Sequence, residues 1–599
     1  MRTSAERFLT VPVLSRPQRR KYRILTIAWL AAALFFWLWW LQRSHIGDPV
    51  LFALVTLSIA WIYMMSAYFL AVFLNSRRSD ALVPMPREYR VAMIVTKTPS
   101  EPWEVVRRTL EAMLAQNWPH HTWLADEDPS DTTIAWCAAN GVRISSRKGV
   151  AEYHRSTWPR RTRCKEGNLA YFYDHWGYRD YDIVSQLDAD HVPQQGYLRE
   201  ILRPFADPDV GYVSAPSICS ANAKESWAAR TRLFAESAFH GVLQSGYSGC
   251  FAPLCIGSHY AVRTQALKDI GGLGPELAED HSTSMLMNAG GWRGMHASAA
   301  IAYGDGPGNA ADLATQEFQW SRSLLTLLLS HTGRYLRRLP LRLRLFFVFC
   351  QLWYPIFAVN MAFLYLVPIW ALTFDVRFAN VTYPSFIGHS MPSAINMLIF
   401  AYALRRDRFF RPLDGKILSW EKALFVSLQW PWVFWGCTMA IYDRLSGKFV
   451  DFRVTPKGAA AYGRLPGRVV AVYAFLAAGC ILPVILVYRA PVAIGFYLLS
   501  LINSVAYIVL LAVIMFHHVR ESRAAGREQK RSTALNFGVI GSLVALLLVA
   551  IGMHGSQSAM VLAVGMEPLH LVRQEFIVAG AGLGRPGENM RLRFDPGFD

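Results

Sequence analysis

The sequence predicts an α/β domain embedded in a multi-span α-helical membrane protein. Two observations carry this. The chain has 599 residues, of which 53% are hydrophobic, and a mean hydropathy of +0.20. Its apolar residues gather in windows of the length a membrane span needs, about 20 residues. These are Ile24–Leu41, Val50–Leu74, Phe346–Leu372, Phe386–Leu404, Val469–Val487, Val492–Phe516 and Leu535–Ile551. Between the second and third windows, Arg87 to about Ser323 holds no full-length span and alternates strand-like with helix-like runs, the pattern of a layered α/β domain.

Charge orients the chain. The net charge is +18, and Arg and Lys crowd the segments beside the spans: Arg16–Arg23, Arg77–Arg90, Arg334–Arg344, Arg405–Arg411 and Arg520–Arg531. This positive-inside bias places the N-terminus and the middle domain in the cytoplasm of a multi-pass inner (plasma) membrane protein. The first span follows a basic segment and has no small-residue cleavage site, so it reads as an anchor. The absence of a basic recognition module interleaved with aromatics excludes a nucleic-acid partner. The eight cysteines form no C-x-x-C pair. Cys164, Cys219, Cys250 and Cys255 fall in the cytoplasmic region and read as reduced, structural thiols.

The chain divides accordingly. Residues 1–86 hold the N-terminal segment and two spans, 87–323 the α/β domain, and 324–344 an interfacial amphipathic stretch. Residues 345–449 hold two spans and an interfacial helix, 450–460 a loop, 461–552 three spans, and 553–599 a polar, partly disordered tail. The interfacial reading of Glu421–Ile441 rests on its flanks. Arg405–Arg411 precede it, Arg444, Lys448, Arg453 and Lys457 follow it, and Trp430, Trp432 and Trp435 lie within it. Seven crossings put the tail outside.

Within the domain, Val91–Thr96 reads as a strand and Pro102–Gln116 as a helix with apolar positions at Val105, Val106, Leu110, Met113 and Leu114. Thr122–Ala125 is a second strand ending in Asp126, Gly141–Ser145 a third, and Ile183–Leu187 a fourth ending in Asp188-Ala189-Asp190-His191. Open α/β sheets bind ligands beyond the carboxyl ends of their strands, where Asp126 and Asp188 fall. Residues i and i+2 of a strand point the same way, so Asp188 and Asp190 reach one cation, and oxygen ligands suit Mg2+ or Mn2+. Such a cation completes its shell with phosphates, which suggests a nucleoside-diphosphate donor. His191 is either a further ligand or a structural residue.

Further segments follow in order: Thr96-Lys97-Thr98-Pro99-Ser100-Glu101 after the first strand, Lys165-Glu166-Gly167-Asn168-Leu169, and Gly257-Ser258-His259-Tyr260-Ala261-Val262-Arg263. Then come Ala278-Glu279-Asp280, Gln316-Glu317-Phe318-Gln319-Trp320, and Phe452-Arg453-Val454-Thr455-Pro456-Lys457-Gly458. Taken together with the acidic pair, they make the middle domain resemble family 2 glycosyltransferases of the GT-A fold. The whole chain resembles the processive membrane synthases of cellulose, curdlan, chitin and hyaluronan. The likeness covers Val91–Ser323 closely and the membrane region up to Gly458 more loosely.

The resemblance implies roles. Thr96, Glu101, Asp126, Lys165 and Asp188 contact the donor, with Asp126 at the uracil and Asp128 a rival for that place. Asp188, Asp190 and His191 hold the metal. Asp280 is the general base, with Glu279 beside it; both are also charges of the kind a helix N-terminus favours. Gln316, Gln319 and Trp320 meet the acceptor, although the family has Arg where Gln319 stands and Thr where Ala278 stands. Trp320 read alone is an interfacial anchor. Phe452, Val454, Thr455 and Lys457 form a gating loop over the nucleotide.

The implied activity is a processive, inverting transfer of glucose from UDP-glucose to a growing linear β-glucan, translocated through the enzyme's own helices beside membrane lipid. The linkage is β-1,3 (curdlan-type), β-1,4 (cellulose-type) or mixed. A polymer based on N-acetylglucosamine, a non-processive transferase acting on a lipid or short acceptor, and an inactive export channel are the competing readings.

Overall fold

The seven residues Val91–Lys97 are all buried, as expected of a strand covered on both faces. Alternation splits them between two cores. Val91, Met93 and Val95 pack with Val106, Leu110 and Met113, while Ala92 and Ile94 pack with Trp123, Leu169 and Phe172. This strand lies in the interior of the α/β domain's sheet. A computed structural model describes residues 9–84, 88–99, 101–162, 165–275, 278–447, 465–524, 530–563, 572–576 and 590–594.

The main sheet has seven strands. They are β1 (Val91–Lys97), β2 (His121–Asp126), β3 (Arg143–Ser145), β4 (Ile183–Asp188), β5 (Val210–Ser214), β6 (His259–Arg263) and β7 (Arg293–His296). Their spatial order is β7-β5-β6-β4-β1-β2-β3. Strands β4, β1, β2 and β3 run parallel. β6 is antiparallel to both β4 and β5, so the sheet is mixed. The strands read from sequence are present, extended by a residue or two at β1, β2 and β4 and shorter at β3. β5, β6 and β7 were not distinguished from loops, because each is only four or five residues long.

The helices that matter below are α1 (Arg16–Trp40), α2 (Pro49–Leu74), α3 (Trp103–Leu114), α4 (Lys165–Phe172), α5 (Trp227–Ala238), α6 (Glu279–Ala289) and α7 (Ala310–Leu327). After them come α8 (Leu341–Phe374), α9 (Tyr383–Arg406), α10 (Trp420–Ser446), α11 (Gly467–Leu486), α12 (Phe496–Ala524) and α13 (Lys530–Ala563). α7 starts at an Asn309 cap, whose side-chain oxygen accepts from the backbone N–H groups of Ala311 and Asp312, satisfying donors a helix start leaves open. It runs on to Leu327, so the boundary expected at 323/324 falls inside a helix. The stretch 324–344 is the end of α7, a π turn at Leu328–Thr332, a short helix at Gly333–Leu336 and the start of α8.

Among the described residues, seven helices are long and apolar enough to cross a membrane: α1, α2, α8, α10, α11, α12 and α13. The protein is a multi-pass membrane protein by this measure. The count matches the sequence reading, but the membership differs. α9, a predicted span, is not among them. His389, Ser390, Pro392, Ser393 and Asn396 lower its apolarity. α10, predicted to lie in the interface, is among them. Yet α10 is tied along its length to helices α5 and α7 of the α/β region. Glu421 pairs with Arg230 of α5 at 2.6 Å, the Gln429 amide donates to Glu317 of α7 at 2.7 Å, and Asp443 pairs with Arg322 of α7. From Glu421 to Asp443 a helix rises about 33 Å.

In the predicted polar tail, Val572–Phe576 and Met590–Phe594 form an antiparallel pair, and α13 reaches Ala563, beyond the expected end of the last span. The predicted loop residues Phe452, Val454, Thr455 and Lys457 lie outside the described residues.

Candidate active site

Strand pairing assembles the first half of the site. Thr96 of β1 stands opposite Asp188 of β4, which puts the carboxyl ends of both strands at one cavity of about 500 Å³. Asp188, Asp190 and His191 offer ligand atoms that all lie within 4.8 Å of one another. Two carboxylates and one imidazole suit a divalent cation of the Mg2+ or Mn2+ kind that keeps coordination positions for phosphate oxygens. The donor set therefore fits the metal the sequence implied. Asp190 is held from behind, its carboxylate accepting the Asp305 N–H at 3.1 Å. His191 is buried, with Nδ1 3.4 Å from Asp190.

Lys165 opens α4 with its Nζ 2.7 Å from Asp188 Oδ1 and donating to the Gly257 carbonyl. Burial works to lower its pKa, but Asp188, Glu279 and Asp280 outweigh that and hold it above the ordinary lysine range. The lysine thus lies among three acidic groups.

Glu279 and Asp280 form the first turn of α6. Asp280 Oδ2 accepts the Gly257 N–H at 2.6 Å and Oδ1 accepts the His281 N–H at 2.7 Å. A Cβ at Gly257 would come within 3.2 Å of Asp280 Oδ2, so glycine permits this approach. Burial, then repulsion from Asp280, pushes Glu279 up to about 8. Asp280 is also raised, chiefly by burial. Glu279 Oε1 is buried with no hydrogen-bond partner among the described residues. An acidic pair with raised affinity for a proton beside a set of possible metal ligands is suited to accept one.

The other half of the cavity is built on helices. Trp320 and Gln316 of α7 line it, together with Arg232 and Glu236 of α5. The Arg232 guanidinium lies 4.3 Å from the Trp320 ring centroid. It donates from Nη1 to Gln316 Oε1 and from Nε to Glu236 Oε1, both at 2.9 Å.

Three predicted site residues sit otherwise than expected. Asp126 does not line the cavity. It has no exposed surface, and Lys97, its register partner on β1, meets its carboxylate at 3.0 Å. Its rival Asp128 is exposed and paired with Lys148 at 2.6 Å. Gln319 is buried outside the lining, one residue from Trp320 and so turned about 100° around the helix. Thr96 and Glu101 do line the cavity, and Glu101 also accepts the Thr98 N–H at 2.8 Å, closing its own loop. Sequence reading missed Arg232 and Glu236. Their one signal is the i, i+4 spacing of opposite charges, which also marks ordinary solvated helix faces.

A mixed seven-stranded sheet, an acidic cluster at its strand ends and a bundle of apolar helices together define a GT-A-type glycosyltransferase domain on a membrane scaffold. Sequence comparison agrees. Residues 183–404 match the model of the glycosyl transferase family group 2. The chain is similar to cellulose synthase 1 of Komagataeibacter xylinus, 24% identical over 74% of this chain and 28% of that protein. It is also similar to the UDP-forming cellulose synthase catalytic subunit of Xanthomonas axonopodis pv. citri, 24% identical over 48% of this chain and 40% of that protein. The chain thus spans well under half the length of these curated relatives. Among solved structures, a mannosyltransferase from Pyrobaculum calidifontis in complex with GDP-Man and Mn2+ matches at 16% identity and a TM-score of 0.41, covering 66% of this chain and 99% of that one. The resemblance read from the motifs is borne out: family 2 glycosyltransferases, with cellulose synthases among the relatives.

Proposed function

We propose that the protein is a membrane-embedded, metal-dependent inverting synthase that transfers glucose from UDP-glucose to a growing β-linked polysaccharide and passes the product through its own helices. One observation carries the reading: the Asp188–Asp190–His191 cluster, the Glu279–Asp280 pair and Trp320 all line one cavity. Donor, base and acceptor platform are therefore within reach of one another.

Asp188, Asp190 and His191 would hold Mg2+ or Mn2+, which when bound supplies charge neutralisation for a departing diphosphate. Lys165 adds a fixed positive charge to the same region. Asp280 takes the proton of the acceptor hydroxyl as that oxygen bonds to the anomeric carbon. The anomeric carbon–phosphate bond breaks in the same step, and its electron pair leaves with the diphosphate. A single displacement inverts the centre, so an α-linked donor yields a β-linkage. Trp320 offers an aromatic face to the apolar face of the acceptor ring.

The ties from Glu421, Gln429 and Asp443 favour α10 lying along the catalytic domain at the cytoplasmic membrane surface, with α9 crossing in its place. That arrangement keeps Arg405–Arg411 and Arg444 on the cytoplasmic side. The donor sugar and the linkage are tested together by incubating the purified protein with a panel of UDP-sugars and Mg2+ or Mn2+, then digesting the product with linkage-specific glucanases. Polymer from UDP-glucose that a β-glucanase degrades is expected. Single additions only would sink the processive reading, and polymer from UDP-N-acetylglucosamine alone would replace the sugar.

A further inference from the structure

We infer that Arg232, on a helix separate from every motif of the site, is an acceptor-positioning residue: with Glu236 it forms a polar sugar subsite against the ring of Trp320. The inference rests on the functional reading above and assigns the hydroxyl-reading groups of its acceptor end.

The geometry starts from α5. Arg232 and Glu236 are one turn apart and hydrogen-bonded at 2.9 Å, so they share a face of the helix. That face lines the cavity. Guanidinium carries five N–H donors. Nε is used by Glu236 and one Nη1 donor by Gln316. Nη2 makes no hydrogen bond to another described residue. The Arg232 side chain is only 11% exposed, and the residue lines the cavity. The alternatives for the Nη2 donors are water or a ligand, because a buried donor left unmade is costly.

The stacking adds position. With the guanidinium 4.3 Å from the Trp320 centroid, one face of the indole is occupied by a cation. A sugar ring packing on Trp320 therefore uses the free face or the ring edge. Arg232 and the Glu236 carboxylate line the same cavity as the Trp320 ring. Glu236 is held ionised: burial works against the charge, but Arg232 and His240 outweigh it and bring its pKa down to about 2. A donor beside an acceptor matches two neighbouring hydroxyls of a pyranose, each of which both gives and takes a hydrogen bond. A ligand with an apolar ring face and flanking hydroxyls fits this set. A lipid chain or a nucleotide phosphate does not, since one lacks hydroxyls and the other would meet Glu236.

The test is binding, read separately at the two ends of the cavity. Calorimetry on the full-length protein in detergent would use UDP with Mn2+ as the donor-end probe and cellotetraose or laminaritetraose as the acceptor-end probe. Arg232→Gln is expected to weaken tetrasaccharide binding at least tenfold and to leave UDP affinity within twofold. Arg232→Lys keeps the charge but not the planar fork, and should fall between. Unchanged tetrasaccharide binding in Arg232→Gln overturns the inference, as does a parallel loss of both ligands or a wild type that binds UDP but neither tetrasaccharide. A wild type that binds tetrasaccharide but not UDP would instead overturn the donor reading and leave the subsite standing.

Discussion

The two ends of the cavity are built in different ways. At the acidic end, Asp188, Asp190 and Asp280 are fixed by backbone: strand pairing at β1 and β4, and N–H groups of Gly257, His281 and Asp305. At the aromatic end, Trp320, Arg232, Glu236 and Gln316 hold one another by side chains on two helices. Both of those helices are anchored to α10, α5 through Arg230 and α7 through Glu317 and Arg322. The difference teaches that the acidic groups are held by backbone, whereas the proposed acceptor platform depends on side chains of helices packed against α10.

The largest break comes at the acidic end. Asp280→Asn removes the proposed base and should lower turnover about 10³-fold, with UDP binding and membrane insertion retained. Wild-type synthesis by this variant would refute the mechanism. Trp320→Ala attacks the other end. It should raise the KM for an oligosaccharide acceptor roughly tenfold, about 1.4 kcal/mol, while donor hydrolysis in water continues; a fall in hydrolysis to match would show that the two ends are not separable.

Glu279→Gln sharpens the acidic end. Asp280 faces Lys165, Asp188 and Glu279. Glu279 keeps its proton up to a pH of about 8, so glutamine in its place removes no charge where Asp280 titrates. The acidic limb of the pH–rate profile, set by deprotonation of the base, should therefore stay in place, and any change of rate near pH 8 should disappear. A displaced acidic limb would mean that Glu279 is charged beside Asp280 and not held neutral by it. The smallest effect is expected at Asp443→Asn, which weakens the tie from α10 to Arg322. The pair is largely shielded, at 15% and 12% side-chain exposure, but asparagine still accepts one hydrogen bond. A loss of about 1 kcal/mol should appear as a lower Tm, together with a modest rise in acceptor KM and no change in the pH profile.

The acidic end was largely legible in sequence because its parts lie in short contiguous runs. A β-rich segment ending in Asp188-Ala189-Asp190 declares both the strand and the side its carboxylates face. Glu279 and Asp280 likewise open a helix. Asp126 shows the limit. Its position at a strand end was read correctly, but its register partner is Lys97, and that cross-strand pairing buries it. β6 was hidden in the same way. Five residues running antiparallel between β4 and β5 leave no periodicity that distinguishes them from loop.

The sequence by itself determined the apolar helices, the strand-to-carboxylate runs and the resemblance to family 2 glycosyltransferases. Each of these depends on residues within about a turn or a strand of one another, where local spacing dictates which way side chains point. Tertiary structure alone decided that Arg232 stacks on Trp320 across helices, that Lys97 claims Asp126, and that α10, apolar enough to cross, is held lengthwise against the catalytic domain. Those outcomes turn on which surfaces meet. A buried ion pair or a cation on a ring forms only once packing has brought distant segments together and excluded water from between them.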